Sequence, residues 1–444
     1  MNSHTHVPPS ADPWISPLIV LAAITALGSS AQAASPLPPL PHPAPRATGW
    51  HDAGLPAIRG MTIGPIENAL HPGVGYGTNA CGKSLDASIE LGATWIALTP
   101  FGRMWSTRTT GIDLSFESPF ELNTEAVGRA IDQAHARGLR VMLVPHLWVE
   151  TGGWRGEIEP GAPPDIKKDD GGYELRGRAT DAAMRTFASS YRKFALAWAD
   201  VARAHDVEVL SIGVELRSWL TSGRAVEEGR ALVRDIRAHY AGILTYSANW
   251  DDVDEVVLLR EIDVIGINAF YPLADKAGAG RDELLAGGAR VGAKVQALAT
   301  AWNKPVMFTE VGYTTRPDPA VRPWEWPDSM KGVKVDEEAQ SEAYRAILSG
   351  VIGEPAFAGF FVWRQFADPD DVSQEAAWGF PVRGKLSELT VREVYASRFA
   401  VDGWQPAWSV LGLAAFGAPG SSWSYPKVAP WVADVRPGTY PPRP

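Results

Sequence analysis

The chain has 444 residues, 45% of them hydrophobic and 21% charged, with a net charge of −10. That is enough apolar material for one large α/β core. The acidic balance and the lack of any basic run exclude a nucleic-acid polymer as substrate and favour a neutral ligand. Eighteen tryptophans supply flat apolar faces with one polar edge, suited to core packing and to stacking on sugar rings.

The first element is an apolar run of ten residues, Leu18 to Leu27, followed by the small-x-small triplet Ala31-Gln32-Ala33. It is too short to span a bilayer and has the length of a signal-peptide core. Residues 1–33 are therefore expected to be an export signal, giving a secreted or periplasmic protein with no membrane attachment after cleavage. The one dissenting feature is an N-terminus with His4 and His6 but no Lys or Arg. Proline-rich residues 34–54 form the expected linker, and the single cysteine, Cys81, excludes an internal disulfide.

From residue 55 onward apolar strand candidates alternate with amphipathic helices. The strands fall at 57–64, 94–101, 139–148, 207–216, 242–249, 264–272, 305–313 and 358–366. Helical stretches such as 125–138, 184–205 and 337–352 carry apolar residues at spacings of three and four. Eight such strands predict a single (β/α)8 TIM barrel over residues 55–402. Residues 403–444, rich in Gly, Pro and Trp, are expected to be an irregular extension. The glycines of 278–292 fall in a loop and helix rather than after a strand, so they carry no phosphate-binding signature.

Reacting groups in such barrels sit at the C-terminal strand ends. Those ends offer Arg103 and Trp105, then His146, Trp148 and Glu150, then Glu215 and Arg217. Further along come Asn249 and Trp250, Asn268 and Tyr271, Glu310 and Tyr313, and Trp363 and Asp368. Glu215 and Glu310 each close an apolar strand, the fourth and the seventh, which face one another across a barrel. Two opposed carboxylates, one protonated and one ionised, are what glycoside hydrolysis requires. Each glutamate alone reads equally well as half of a rim ion pair; both together, ringed by Trp, Tyr and Asn, favour catalysis. Glu150, Asp251 and Asp368 are rival carboxylates on loops. Trp148, Trp154, Trp324 and Trp326 either pack or line the cleft. His135, His205 and His239 fall in helices, leaving no multi-histidine metal site, and no cofactor is expected.

The segments FTEVGYTT (308–315), GVEL (213–216) and WGFPVRGK (378–385) resemble the clan-A retaining glycoside hydrolases, and within them the family 113 β-mannanases. The resemblance implies Glu215 as general acid/base with a raised pKa and Glu310 as an ionised nucleophile, about 5–5.5 Å apart. It implies that Tyr271 hydrogen-bonds the nucleophile and that Trp363 floors the cleaved sugar. Trp105, His146, Trp148, Asn249, Trp250 and Asn268 complete the expected substrate-binding set. Val214 stands where the clan usually carries the Asn that holds the sugar 2-hydroxyl; Asn249 is the first substitute, ahead of Asn268 and His146, and reads equally well as a cap of the helix after it. The implied activity is retaining endo-hydrolysis of a neutral β-linked polysaccharide, β-1,4-mannan first, by a monomer. A non-catalytic sugar-binding barrel, and a transglycosylase or exo-acting glycosidase, are the alternatives.

Overall fold

The structure, a computed structural model, describes residues 57–398 apart from 67–70, 72, 117, 164–165, 168–172, 175–176, 222, 326–331, 372–373 and 376. The expected signal, linker and C-terminal extension lie outside the described residues, as does Trp326. Eight strands close a barrel: β1 (Ile58–Gly64), β2 (Trp95–Leu98), β3 (Arg140–Leu143), β4 (Val209–Val214), β5 (Ile243–Asn249), β6 (Val264–Asn268), β7 (Val306–Val311) and β8 (Phe357–Phe366). All neighbours run parallel, in the order β1-β8-β7-β6-β5-β4-β3-β2.

Alternation along each strand divides the core in two. Trp95 and Ala97 of β2 join Ile58, Met142, Val209, Val214, Ile243, Val264, Met307 and Phe361 in a cluster drawn from every strand, which fills the barrel interior. Their neighbours Ile96 and Leu98 belong to the larger cluster between barrel and helices.

Seven long helices surround the barrel: α1 (Asn79–Leu91), α2 (Phe120–His135), α3 (Asp181–Ala204), α4 (Val226–His239), α5 (Arg281–Trp302), α6 (Glu337–Val351) and α7 (Leu386–Arg398). The link from β5 to β6 holds only a 3-10 turn, Val253–Glu255. Helices α5 and α6, behind β6 and β7, approach at backbone distance. A Cβ on Gly288 would lie 2.0 Å from the Ala346 carbonyl oxygen, and one on Gly292 would lie 2.0 Å from that of Gly350. Of the glycines of 278–292 that carried no ligand signature, Gly287, Gly288 and Gly292 are packing glycines, whereas a Cβ on Gly278 or Gly280 would meet nothing within 4 Å.

The structure divides two of the expected strands. Pro100 and Pro145 lack the N–H that a ladder needs, so β2 and β3 stop before them. The chain restarts as Phe101–Met104 and His146–Val149, a separate parallel pair on the barrel rim. His146 and Trp148 therefore sit on this ribbon rather than on a barrel strand.

Candidate active site

Glu215 is the first residue after β4. Its N–H donates to Ser247 O of β5 at 2.9 Å, beyond a register irregularity between Ser211 and Val214. Its φ of +50° is left-handed, a conformation costing a non-glycine residue on the order of 1–3 kcal/mol. That turn breaks the alternation: Val214 points into the barrel interior, yet the Glu215 carboxylate also ends inside the mouth, 8% exposed. Its Oε2 accepts from Trp154 Nε1 at 2.8 Å and from Arg155 Nη1 at 3.0 Å, while Oε1 accepts from Asn268 Nδ2 at 3.0 Å. Arg155 also donates through Nε to Leu147 O of the rim ribbon at 3.2 Å. The Arg217 guanidinium lies over the Trp154 ring, 4.7 Å from its centroid, and is itself held by Asp251 and Asp252.

Glu310, 4% exposed, sits within β7. The register from β6 shifts between Ile267 and Asn268, so that Asn268 pairs with Glu310; such bulges re-aim side chains at barrel rims. Thr309 Oγ1 donates to Asn268 Oδ1 at 2.8 Å. This fixes the amide with its NH2 turned toward the carboxylates.

His146 determines where a proton resides. Its Nδ1 lies 2.7 Å from Val144 O, a carbonyl that can only accept, so Nδ1 carries the hydrogen. Burial, then the charge of Arg155, holds the imidazole pKa well below its ordinary value; Arg364 adds to this against the Val144 bond. The ring is therefore neutral and Nε2 is a lone pair, 3.2 Å from Glu310 Oε1. Burial and then the charge of Glu215 push the Glu310 pKa well above the carboxylate range, against Arg155, Arg364 and Asn268. That direction runs against the ionised state expected of Glu310. The reason is that its carboxyl is fully enclosed and lies beside the charge of Glu215.

The aromatic residues divide into those in the mouth and those behind it. Trp363 is 5% exposed, stacked against His146 at 6.2 Å and 25° and edge-on to Phe270 at 6.5 Å. Its buried indole N–H has no protein partner. Phe270, Trp363 and Phe380 form a cluster with Trp250 packed against it. Gly312 leaves room for it, since a Cβ there would lie 2.9 Å from Phe380, 3.1 Å from Phe270 and 3.2 Å from Trp363. Tyr271 lies elsewhere. It packs in the outer cluster against Phe308 and Trp250, its hydroxyl has no partner, and it makes no bond to Glu310. The chain turns after Asn268, with Ala269 N–H on Glu310 O and Phe270 N–H on Asn268 O, so Phe270 takes the inward position.

Asn249 donates its amide to Asp251 beside it, whereas Asn268 reaches Glu215; of the two amides, Asn268 is the one in the site. Trp148 and Trp105 stand 46% and 67% exposed on the rim. Glu150 pairs with Arg103 at 3.6 Å. His135, His205 and His239 pair with Glu208, Asp132 and Asp200. Sequence reasoning missed Arg155, Phe270 and Phe380.

A (β/α)8 barrel bringing two enclosed carboxyl groups from β4 and β7 to one amide, over a tryptophan floor, has the architecture of a glycoside hydrolase. The chain belongs to Glycoside Hydrolase Family 113, whose model matches residues 71–378. Solved structures share the fold at low identity. A family 113 β-1,4-mannanase is 21% identical with a TM-score of 0.62, covering 78% of this chain and 100% of its own. The family 113 β-mannanase of Alicyclobacillus acidocaldarius is 23% identical with a TM-score of 0.61, covering 77% and 98%. A family 5 mannosidase of Rhizomucor miehei is 12% identical with a TM-score of 0.54, covering 81% and 97%. No curated protein sequence matches the chain.

Proposed function

We propose that the protein is a retaining endo-β-1,4-mannanase in which Glu310 is the nucleophile and Glu215 the general acid/base. The observation that carries this reading is the enclosed pair itself, with Asn268 bonded to Glu215 and in register with Glu310. Within that reading the carboxyls lie about 5–5.5 Å apart, too close for an intervening water. The mannanase neighbours support mannan as the polymer.

The first step needs Glu310 ionised and a proton on Glu215. In the free protein burial and the Glu215 charge favour a proton on Glu310, so substrate binding must bring that proton to Glu215. An entering sugar that displaces Trp154 and Arg155 from Glu215 Oε2 frees that oxygen to carry the proton toward the glycosidic oxygen. Glu310 then attacks the anomeric carbon as the C–O bond to the leaving sugar breaks and that oxygen takes the proton. Glu215, now ionised, draws a proton from water, whose oxygen displaces Glu310 and restores the original anomeric configuration. His146 orients Glu310 throughout, with its tautomer set by Val144.

Reducing-end release from mannan, glucan, xylan and chitosan, with NMR detection of the first-formed anomer, tests this reading. Mannan cleavage with retention is expected. Inversion, or activity confined to another polymer, overturns it. Export by residues 1–33 and a monomeric state belong to the same proposal, and are tested by N-terminal sequencing of the mature protein and by its sedimentation.

A further inference from the structure

Two aromatic paths diverge from Trp363 and each ends on a half-exposed indole. One runs from Trp363 to the stacked His146, then to Phe101 at 5.3 Å and to Trp148 at 6.0 Å. His146 and Trp148 are two residues apart on one rim strand, so they share a face. That face is the one His146 turns toward Glu310, and Trp148 is 46% exposed on it. The other path runs from Trp363 to Phe270, then to Trp250, which packs on their cluster. It ends at Trp324, stacked on Trp250 at 5.5 Å and 20° and 46% exposed. One face of Trp324 is thus covered by an indole while the ring remains half open to solvent.

Trp324 is also held in place. The neighbouring Glu325 is clamped by Arg316 and Arg322, each at 2.8 Å, and Arg316 is itself buried. Ordering these groups before binding lowers the entropy lost when a ligand stacks.

We infer that Trp148 and Trp324 are the outer stacking platforms of one groove crossing Trp363, built to grip an internal segment of a β-1,4-linked polysaccharide on both sides of the cleaved bond. The occupant is a neutral sugar chain because each path is aromatic, continuous with the catalytic mouth, and most open at its end. This inference rests on the reading of the site as a β-glycan hydrolase.

The test is calorimetric binding of mannobiose through mannohexaose to Glu310→Gln, alone and with Trp148→Ala or Trp324→Ala. Each alanine is expected to raise the hexaose Kd by about five- to tenfold, the loss of one stacking contact, and the biose Kd by less than about twofold. Trp148→Phe and Trp324→Phe should recover most of the loss, which a misfolded variant would not show. With Glu310 intact and oligosaccharides 18O-labelled at the reducing end, the two alanines should move the preferred cleavage point in opposite directions. Equal losses at every length, or a shift in the same direction, overturn the inference while mannan hydrolysis by the wild type stands. Conversely, length-dependent losses on a different β-glycan, with no turnover of mannan, would sink only the mannan assignment.

Discussion

Replacing Glu215 by glutamine should move the ionisation of Glu310 to lower pH. Burial and the Glu215 charge are the two largest causes that raise the Glu310 pKa, and the substitution removes the second. At the spacing of a retaining pair, about 5.5 Å, two like charges interact by about 3 kcal/mol at an effective dielectric near 20. Removing that repulsion lowers the Glu310 pKa. Arg155, no longer neutralised by the carboxylate it touches at 3.0 Å, pulls in the same direction. The assay is kcat/KM against pH on a 2,4-dinitrophenyl β-mannobioside, whose leaving group needs no proton, so the acid limb reports the nucleophile of the free enzyme. In the wild type that limb should lie above the ordinary carboxylate range; in Glu215→Gln it should move clearly to lower pH. A limb that stays in place or rises would refute both the pairing and the role of Glu310.

Glu310→Gln should raise Tm at neutral pH. The carboxyl holds its proton more tightly folded than unfolded, so it is neutral in both states below about pH 4.3. Above that it costs stability until the folded pKa is passed. The Tm gain over wild type should therefore grow from pH 4 to pH 7 in calorimetry; a constant gain would deny the raised pKa. The His146 ring should keep Nδ1–H and show no protonation between pH 8 and pH 5 by nitrogen NMR, whereas a transition near pH 6.5 would contradict its burial and tautomer. Asn268→Ala should cut kcat/KM on mannan by at least about 100-fold, roughly the worth of hydrogen bonds to charged groups, and Asn249→Ala by less than about fivefold; the reverse order would restore Asn249 as the site amide. Gly288→Ala should lower stability to urea by about 1–3 kcal/mol or more through overpacking against Ala346 O. Gly353→Ala, where a Cβ meets nothing within 4 Å, should be nearly neutral.

The barrel was legible because its inner and outer layers both need apolar residues, leaving eight unmistakable runs; Glu215 and Glu310 stood out as charges ending two of them. The site's finer geometry was less legible for local reasons. Whether Phe270 or Tyr271 turns inward depends on one backbone turn after Asn268, to which a period-two pattern is blind. Arg155 sits in TGGWRGE, a loop with no periodicity, and only folding brings it to Glu215. The prolines at 100 and 145 were visible, yet nothing local showed that the chain would resume beyond them as a rim ribbon. The raised pKa of Glu310 follows from its burial beside Glu215, a closeness that needs coordinates.

The left-handed backbone at Glu215 has an evolutionary consequence. Glycine adopts that conformation without penalty, so a lineage no longer selected for hydrolysis is freed of that backbone cost by losing the carboxylate there. Replacement of Glu310 by a residue that never ionises relieves a second cost, that of keeping a carboxyl group enclosed. Neither change touches Trp148, Trp250 or Trp324. Barrels of this kind that still hold glycans but no longer cut them lie a single substitution away, and drift runs toward them unless turnover is continually selected.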